Sequence, residues 1–318
     1  MAAATGVCAD VADGCSVSAP RAADAARVTV GLPVHNGERY LEAALESILG
    51  QDLGALRVIV ADNGSTDGTE AICRRATARD QRVQYHRSPM NRGATWNYNR
   101  LVAMADTEYF KWAAHDDLLE PSFLSACIDE LDRAPRAVLA YPRTVLIDGA
   151  GNVVDERFED GLDLRSVAPE ERWSRYLAHP GEQHAVFGVM RTSDLRRTGL
   201  IANCWGGDVV LLASLALRGA FHEVPDRLFK RRYHAGSSMV SNPTPADVAR
   251  WYDPAAPTRF VLPRARLTIE LLRVAMGAEL PLRARGACAV GVARRWLPMY
   301  GRVIGGELKG AIRAALPR

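Results

Sequence analysis

Short runs of apolar and β-branched residues alternate with segments of helical spacing between positions 27 and 120. Four strands are predicted in this part, at 28–32, 57–61, 83–86 and 109–114. Helices are predicted between them at 38–49, 69–78 and 94–105, and Thr66 is the expected N-cap of the second helix. Strands that alternate with helices at this spacing are typical of an α/β domain with a mainly parallel sheet.

Polar clusters follow three of these strands. Pro33–Gly37 comes after the first strand, Asp62–Thr66 after the second, and His115–Asp117 after the fourth. In sheets of this kind, ligands bind beyond the carboxyl ends of the strands. We therefore expect the three clusters to meet at one edge of the sheet and to form a binding site there.

The pattern is looser beyond Leu119. Helices are predicted at 122–131, 193–197 and 208–217, and strands at 138–141, 144–147, 185–190, 221–224 and 228–234. Four prolines in Ser241–Pro257 indicate a boundary, and three further helices are predicted at 262–279, 287–297 and 302–315. The first 26 residues are rich in Ala, Asp, Gly and Ser and are expected to form a disordered tail.

The composition is that of an ordinary globular protein. The chain has 318 residues, of which 48% are hydrophobic and 24% are charged, which excludes collagen-like, coiled-coil and wholly disordered proteins. The formal net charge of +3 is too small to indicate a nucleic-acid-binding protein. Positive charge is concentrated from Arg259 onward, where 12 Lys and Arg face 3 Glu and give a local net charge of +9.

The cysteines and the apolar runs bear on the cellular compartment. The six cysteines are scattered and form no Cys-x-x-Cys pair, so we expect reduced thiols and neither a zinc cluster nor a disulfide framework. The N-terminal segment lacks the basic start and the apolar core of a signal peptide. No stretch approaches the ~20 apolar residues of a membrane-spanning helix. A cytoplasmic protein is therefore predicted.

Asp116 and Asp117 are the first candidates for chemistry. Adjacent carboxylates at a strand end repel each other unless a cation or hydrogen-bond donors compensate them. Oxygen ligands of this kind suit Mg²⁺ or Mn²⁺, which commonly bridge one or two carboxylates to phosphate oxygens. The alternative is purely structural, since the same two acids could start the helix that contains Phe123.

Two loops offer partners for a nucleotide. Asp62 could accept a hydrogen bond from a nucleobase N–H, although 62–68 could also be only a turn and a cap. The loop Asn91–Gly93 could place backbone N–H groups and a guanidinium near phosphates. Neither a G-x-G-x-x-G motif after the first strand nor a P-loop motif is present, which excludes dinucleotide and P-loop sites.

Four stretches together resemble family 2 glycosyltransferases with the GT-A fold. They are Leu32–Gly37 with Tyr40-Leu41, Ala61–Thr69, Asn91–Gly93 and Asp116-Asp117, and they occur in the order of that family. The resemblance implies an inverting transferase that moves a sugar from a nucleoside diphosphate to an acceptor hydroxyl. It also implies a divalent metal, Mn²⁺ or Mg²⁺, as cofactor.

The resemblance assigns residues to the nucleotide-sugar site. It implies that Asp62 contacts the base, that Asp116 lies near the ribose and the metal, and that Asp117 coordinates the metal. The other donor-binding residues that it implies are Pro33, His35, Asn36, Asn63, Arg92 and Gly93. In two places the chain departs from the family, because Asn63 and His115 stand where further acids are often found.

The second half is expected to supply the catalytic base. Inversion needs a group that removes the acceptor proton on the face opposite the leaving diphosphate. Cys204–Leu212 resembles the late carboxylate motif of the family, with Gly207 in place of Glu, and makes Asp208 the candidate base ahead of Asp194 and Asp226. The two glycines before Asp208 would let an acceptor approach the backbone closely. An N-cap role for Asp208 is the structural alternative.

Arg231–Ser238 resembles the closing Arg-x-His segment of the family. The resemblance implies that Arg232 offsets phosphate charge and that His234 approaches the metal or the diphosphate. It covers about 28–240. The predicted division of the chain is a tail (1–26), a GT-A domain (27–240) with a nucleotide-sugar half (27–120) and an acceptor half (121–240), and a Pro-rich linker with a basic helical extension (241–318).

The expected partners are a nucleotide-sugar donor, most often a UDP-sugar in this family, and a carbohydrate or lipid-linked acceptor of polysaccharide or glycolipid synthesis. The basic helices beyond Arg259 could also hold the protein against an anionic inner leaflet. Two alternatives are open. A sugar nucleotidyltransferase would share the layout but usually carries a Gly-rich loop where this chain has Pro33–Gly37, and an inactive domain would bind nucleotide sugars without turnover.

Overall fold

The computed structural model describes residues 26–256 and 261–315. These residues contain a nine-stranded sheet in the order β3-β2-β1-β4-β8-β6-β9-β5, with β7 paired to β6 outside this path. The strands are β1 (Val28–Val34), β2 (Leu56–Asp62), β3 (Val83–Arg87), β4 (Tyr109–Trp112), β5 (Leu118–Leu119), β6 (Ala137–Ile147), β7 (Val153–Asp155), β8 (Val189–Arg191) and β9 (Ala220–Arg232).

Helices flank the sheet and continue beyond it. They are α1 (Leu41–Leu49), α2 (Thr69–Arg79), α3 (Ala94–Met104), α4 (Phe123–Arg133), α5 (Pro169–Ala178), α6 (Thr192–Arg196), α7 (Gly207–Arg218), α8 (Ser238–Ser241), α9 (Pro245–Tyr252), α10 (Pro263–Gly277), α11 (Leu282–Gly291) and α12 (Leu297–Ala315). A 3₁₀ turn (His184–Phe187) precedes β8, and a π-helical turn (Val292–Trp296) joins α11 to α12. The tail predicted at 1–26 lies, apart from Ala26, outside the described residues.

The first half of the sheet is parallel, as the sequence predicts. β1 pairs in parallel with β2 on one side and β4 on the other, and β2 pairs in parallel with β3. All seven residues of β1 are buried, which explains its unbroken apolar run, since a central parallel strand is covered on both faces. The carboxyl ends of β1, β2 and β4 therefore lie at one edge of the sheet.

The second half of the sheet is mixed. β8 runs antiparallel to both β4 and β6, β6 and β9 are parallel, and β5 is antiparallel to β9. In the last pair Leu118 lies opposite Lys230. This register places Asp116 and Asp117, just before β5, beside the final residues of β9.

The sequence predicts two sets of two short consecutive strands, and in the structure each set is one longer strand. β6 spans both 138–141 and 144–147, and β9 spans 221–224 and continues to Arg232. Proline interrupts the apolar pattern in both, at Pro142 and Pro225. The β6–β9 register shifts next to Pro142, so an irregularity in the ladder accommodates the missing N–H.

Two further local predictions are wrong. Thr66 is not the N-cap of α2, because Gly68 occupies that position and the backbone N–H of Thr69 donates to Asp67 Oδ1 at 3.1 Å. The strand predicted at 185–190 is instead the 3₁₀ turn followed by the short strand β8.

The C-terminal helices extend the core of the sheet domain. α10 packs on α7, and α11 packs on α5. The indole N–H of Trp173 donates across this contact to the carbonyl of Cys288 at 2.9 Å, and within the C-terminal helices the indole N–H of Trp296 donates to Thr268 Oγ1 at 3.0 Å. Within residues 26–256 and 261–315, no helix is both long and apolar enough to cross a bilayer, and the cysteines are free and buried.

Candidate active site

Asp116 and His234 meet at the carboxyl edge of the sheet. Asp116 lies in the turn between β4 and β5, and His234 lies just beyond the end of β9. His234 Nε2 is 3.0 Å from Asp116 Oδ2, and the two side chains are only 11% and 10% exposed. The structure therefore brings together two of the three residues that the sequence assigns to the metal.

Asp117 is engaged by the protein itself. Arg231 Nη1 donates to Asp117 Oδ2 at 2.6 Å, and the backbone N–H of Arg232 donates to Oδ1 at 2.9 Å. The carboxylate is buried, so both oxygens are used to fasten the turn before β5 to the end of β9. Asp117 therefore has a structural role in this arrangement. The carboxylate of the adjacent Asp116 is the one that lies beside His234.

The two adjacent acids have pKa values displaced in opposite directions. Burial alone raises the pKa of Asp116, but the charges of His115, Arg231 and His234 outweigh it and hold the pKa below its ordinary value. Burial and the charge of Asp116 raise the pKa of Asp117, against the opposing charge of Arg231. Carboxyl groups whose pKa values are pushed apart are typical of sites in which two acids have different roles.

Asp208 stands in the first turn of α7 and is half-buried. Its Oδ1 accepts a hydrogen bond from the Val209 N–H at 2.9 Å, and burial raises its pKa while the charge of Arg231 opposes the rise. Gly206, not Asp208, is the N-cap of α7. The charge of Arg231 favours the ionised form of Asp116, Asp117 and Asp208, and its effect on Asp208 is the weakest of the causes that act there.

The glycines before Asp208 serve the protein's own packing. A Cβ on Gly206, which has φ of +75°, would lie 2.9 Å from the Leu267 side chain of α10. A Cβ on Gly207 would lie 2.2 Å from the carbonyl oxygen of Ala202. The space expected for an acceptor at these glycines is therefore filled by the C-terminal helices and the preceding loop.

The side chains of Asp62 and Asn63 form hydrogen bonds within the protein. Asp62 is fully buried, and it accepts hydrogen bonds from the Ser65 N–H at 2.9 Å and the Tyr85 hydroxyl at 2.7 Å. Asn63 donates to Asn91 Oδ1 at 2.8 Å and accepts from the backbone N–H of Arg92 at 2.9 Å. Their side chains are committed to neighbouring loops and present no free face to a nucleobase.

The loop after β1 and the loop after β2 form one exposed rim. Pro33 is buried within β1, whereas His35 and Asn36 are exposed. Asn36 has φ of +53°, and its Oδ1 accepts from the Thr66 N–H at 2.9 Å. His35 and Asn36 are thus the residues of the first polar cluster that are accessible to a ligand.

Arg92 and Arg232 have different surroundings. The Arg92 guanidinium is exposed and lies 4.2 Å from the centre of the Trp96 ring. Arg232 is buried, and its Nε donates to the carbonyl of Asp116 at 2.7 Å while Nη1 donates to that of Asp148 at 3.1 Å. The exposed Arg92 is therefore accessible to a phosphate, whereas Arg232 links the turn at Asp116 to the turn at Asp148.

Three residues of the site were not identified from the sequence. Arg231 is the charged centre, and only its position beside Arg232 offered a signal. The Tyr40 ring lies 4.7 Å from the His234 ring, and its buried hydroxyl has no partner among the described residues. Burial raises the pKa of Tyr98, against the opposing charge of Arg231, and the charges of Asp116, Asp117 and Asp208 raise it further. Nothing in the sequence marks Tyr98.

The donor atoms at this edge fit a hard divalent cation. No cluster of three or more His, Cys, Asp or Glu side chains with metal-binding geometry occurs in the part of the chain that the structure describes. Asp116 and His234 offer one carboxylate and one imidazole side by side. Mg²⁺ and similar ions are commonly held by one or two protein ligands, with substrate phosphates and water completing the shell.

Comparison with known sequences agrees with this geometry. The sequence model of glycosyl transferase family 2 matches residues 29–191. A chondroitin synthase of Escherichia coli is 30% identical over 152 residues, which are 48% of this chain and 21% of that protein. The chain spans only 21% to 42% of the length of three curated relatives that it matches.

Solved structures share the fold. The Staphylococcus aureus TarS 1–349 structure in complex with UDP-GlcNAc superimposes with a TM-score of 0.62 at 15% identity, over 86% of this chain and 73% of that one. The mannosyltransferase PcManGT of Pyrobaculum calidifontis, solved with GDP-Man and Mn²⁺, gives a TM-score of 0.51 at 18% identity, over 92% and 77%. With its GT-A architecture and a family match over half its length, the chain belongs to glycosyl transferase family 2.

Proposed function

We propose that this protein is a metal-dependent, inverting glycosyltransferase. It transfers a sugar from a nucleoside-diphosphate sugar, first of all a UDP-sugar, to an acceptor hydroxyl in polysaccharide or glycolipid synthesis. The observation that carries this proposal is the pairing of Asp116 with His234 at the carboxyl edge of the sheet, beside the ion pair of Asp117 with Arg231. A domain that only bound nucleotide sugars would need no catalytic base, which is the role proposed for Asp208.

The donor is expected between the loop after β1, which carries His35 and Asn36, and the loop after β3, which carries Arg92. His35, Asn36 and Arg92 are exposed there, and Asp116 lies at the same carboxyl edge. The guanidinium of Arg92 suits a diphosphate, because an arginine can bind two phosphate oxygens at once. A complex with UDP-GlcNAc in one structural neighbour, and one with GDP-Man in another, supports a nucleotide-sugar donor but leaves the base and the sugar open.

Asp116 and His234 would hold the divalent ion. Mn²⁺ or Mg²⁺ bound there supplies positive charge that stabilises the leaving nucleoside diphosphate. Asp117 is assigned a different role from the one implied by the family resemblance. Its two oxygens hold Arg231 and the backbone of Arg232, and so keep the turn that carries Asp116 in place.

Asp208 performs the proton transfer. It accepts the proton of the acceptor hydroxyl while the acceptor oxygen forms a bond to the anomeric carbon and the bond from that carbon to the diphosphate breaks. Attack on the face opposite the diphosphate inverts the configuration. Burial makes Asp208 a stronger base than an exposed aspartate, because it disfavours the ionised form.

A lipid-linked acceptor would suit the C-terminal helices. Arg302, Lys309 and Arg313 are exposed and lie on one face of α12 at helical spacing. Exposed apolar side chains, Leu308 and Ile312 among them, lie beside this basic stripe. Basic residues with flanking apolar ones favour the surface of an anionic bilayer, at ~1 kcal/mol for each Lys or Arg.

The first test is the release of nucleoside diphosphate from a panel of UDP-, GDP- and dTDP-sugars. We expect turnover with one nucleotide class, loss of turnover with a chelator, and recovery when Mn²⁺ or Mg²⁺ is added back. A thermal-shift panel of the free nucleoside diphosphates with Mn²⁺ identifies the base independently of any acceptor, because a ligand bound to the native state raises its stability.

Two variants separate this function from the alternatives. Asp208→Asn should retain the nucleotide-dependent thermal shift but lose transfer, whereas Asp194→Asn, at the rejected base candidate, should behave as wild type. A wild-type protein that binds nucleotide sugars but never releases the diphosphate is the binding domain. Release of pyrophosphate from a nucleoside triphosphate and a sugar phosphate would instead identify a nucleotidyltransferase.

A further inference from the structure

The loop 202–207, here called the base loop, leads directly into α7 and Asp208. It is a tight turn, in which the Cys204 N–H donates to the carbonyl of Ala202 at 2.8 Å. The Gly206 carbonyl accepts the first hydrogen bond of α7 at 3.1 Å. Because the loop and the helix are joined by these bonds, a displacement of the base loop would also displace the first turn of α7.

Trp205 lies in the middle of the base loop, three residues before Asp208, and is half-buried. The guanidinium carbon of Arg264, from the first turn of α10, lies 3.6 Å from the centre of the indole ring. At this distance a planar guanidinium stacks on an aromatic face and is attracted to it. In the next residue of the loop, a Cβ on Gly206 would lie 2.9 Å from Leu267 of α10. α10 therefore contacts two consecutive residues of the base loop.

α12 holds Arg264 in its turn. The guanidinium carbon lies 4.6 Å from the centre of the Tyr300 ring. The two carboxylate oxygens of Glu307 accept the backbone N–H groups of Arg264 and Ala265, each at 3.0 Å. These N–H groups lie in the first turn of α10, where they have no acceptor within the helix and a negative charge is favoured. The side chain and the backbone of Arg264 are therefore both fixed by α12.

We infer that Arg264 is a positioning residue for Asp208, which acts by holding Trp205 and, through it, the base loop and the first turn of α7. This inference rests on the proposed function. Arg264 lies outside residues 29–191, which the family model matches. The loops that carry His35 and Arg92 belong to other elements, so donor binding should not depend on this contact.

The first test is Arg264→Ala, which removes the guanidinium but keeps the backbone N–H groups that bind Glu307. We expect kcat for transfer to fall about tenfold or more and KM for the donor to stay within about twofold, because a small displacement of a catalytic group is costly in rate. Arg264→Lys should be intermediate, since an ammonium can lie over the ring but cannot stack as a plane. Arg273→Ala removes the same charge from the exposed side of α10 and should match wild type.

A double-mutant cycle with Trp205→Leu tests whether Arg264 acts through the indole ring. In Trp205→Leu the guanidinium has no indole face to hold, so adding Arg264→Ala should lower kcat no further. A loss by the same factor in both backgrounds would overturn the inference. An unchanged kcat in Arg264→Ala, or a donor KM that rises as much as kcat falls, would overturn it as well.

Two measurements that need no activity follow the base loop directly. In protein labelled with 5-fluorotryptophan, the ¹⁹F signal of Trp205 is assigned by its absence from Trp205→Phe. This signal should shift or broaden in Arg264→Ala, and it should keep its wild-type position in Arg273→Ala. Hydrogen exchange of the amides of residues 209–212 should become faster in Arg264→Ala, whereas the amides of β1 should exchange as in wild type.

The outcomes of these measurements are distinct. An unmoved Trp205 signal with unchanged exchange in Arg264→Ala would show that the guanidinium does not hold the base loop. Faster exchange in β1 as well would show global destabilisation and would equally overturn a positioning role. Failure of the wild type to transfer any sugar would concern the proposed function, since the ¹⁹F and exchange comparisons still decide whether Arg264 holds the loop.

Discussion

Asp208 shows how a single side chain can set the pH dependence of the protein. Burial raises its pKa above the ordinary value of about 3.9. The carboxyl accepts a proton only when ionised, so activity should be lost as the pH falls through this raised pKa and should be fully present above it. A profile of kcat/KM against pH measures the position of this limb.

The control for this acidic limb is the binding of the donor nucleotide in the absence of transfer. Nucleotide-dependent thermal stabilisation does not need an ionised Asp208 and should persist to lower pH than transfer does. An acidic limb at the ordinary pKa of an exposed aspartate would contradict the assignment of Asp208 as the base.

Asp116 and Asp117 should respond differently to removal. Asp116→Ala should lose the Mn²⁺-dependent part of the thermal shift given by the nucleoside diphosphate, with little loss of stability. Asp117→Ala leaves the half-buried guanidinium of Arg231 without its partner and should cost about 1.5–3 kcal/mol in the free energy of unfolding. Urea unfolding, and thermal unfolding with and without Mn²⁺, measure the two effects.

His234→Ala is the matched variant on the other side of the proposed metal pair, and it should resemble Asp116→Ala. The opposite pattern, with Mn²⁺ dependence lost in Asp117→Ala and kept in Asp116→Ala, would return the metal to Asp117.

Lys111 is a buried amine with no carboxylate hydrogen-bonded to it among the described residues. Its Nζ donates to the carbonyls of Trp112 and Phe187, and burial lowers its pKa to about 7. Unfolded lysine keeps its proton to about pH 10.4, so the unfolded chain binds more protons between these values and stability rises with pH there. Lys111→Met should abolish this rise.

Urea unfolding of wild type and Lys111→Met at intervals from about pH 6.5 to 9.5 isolates this contribution, because other groups titrate equally in both proteins. The difference in unfolding free energy between the two proteins should change steadily in favour of wild type as the pH rises. A constant difference would show that Lys111 stays charged when buried.

At the scale of residues, the sequence predicted which residue types would lie at the carboxyl edge of the sheet. It did not predict which of their side-chain atoms would be free to bind a ligand. Asp116 and Asp208 could be found because strand ends and helix starts are readable locally. Asp62 and Arg232 also stand at strand ends, but their side chains turn inward to bind Tyr85 and the carbonyl of Asp116. Such commitments depend on residues far away in the chain, which local patterns do not encode.

The elements of the first half could be predicted because each is defined by its own residues. β1 is a continuous buried run, and α3 has an apolar stripe that packs on β1. β6 and β9 are instead defined by pairing with each other across a shift in register. Proline breaks their local signal, so their length became evident only from the sheet.

α9 offers a test at this scale. The capping box of Thr244 and Asp247 satisfies the free N–H groups at the start of an eight-residue helix with no buried side chains. Thr244→Ala should therefore cost about 1 kcal/mol locally, seen as faster hydrogen exchange of the amides of Val248 to Tyr252. Amides of β1 are the internal control and should exchange as in wild type.

If Thr244→Ala leaves the exchange in α9 unchanged, the cap does not limit the opening of this helix. Faster exchange in both α9 and β1 would mean global destabilisation, which a cap outside the core should not cause.

For the whole molecule, the C-terminal helices are an extension of the catalytic core and cannot be treated as a detachable anchor. Leu267, Leu271 and Trp296 are buried against the sheet domain, and Leu267 fills the space beside Gly206 in the base loop. The sequence showed that these helices were amphipathic and basic, but not that their apolar side was covered by α5 and α7. Truncation would remove core residues, so membrane contact has to be tested by changing charge alone.

Arg302→Gln, Lys309→Gln and Arg313→Gln together neutralise the basic stripe without touching the buried side of α12. Wild type should sediment with vesicles of phosphatidylcholine and phosphatidylserine at low salt, and much less at high salt, because screening weakens attraction to a charged surface. The triple variant should lose most of this binding, at ~1 kcal/mol per residue. A control that neutralises Arg74, Arg79 and Arg136, which are exposed on the GT-A domain away from α12, carries the same net charge.

The control variant should bind the vesicles as wild type does, because attraction through a localised stripe depends on where the charges lie and not on their sum. Equal loss of binding in both variants would indicate attraction through net charge only. If wild type stays in the supernatant even at low salt, the basic stripe is a solvated helix face, and the acceptor need not be linked to a lipid. The transfer reaction proposed for Asp208 would be unaffected by that result, since α12 packs on α10 and on the π-helical turn and Asp208 belongs to α7.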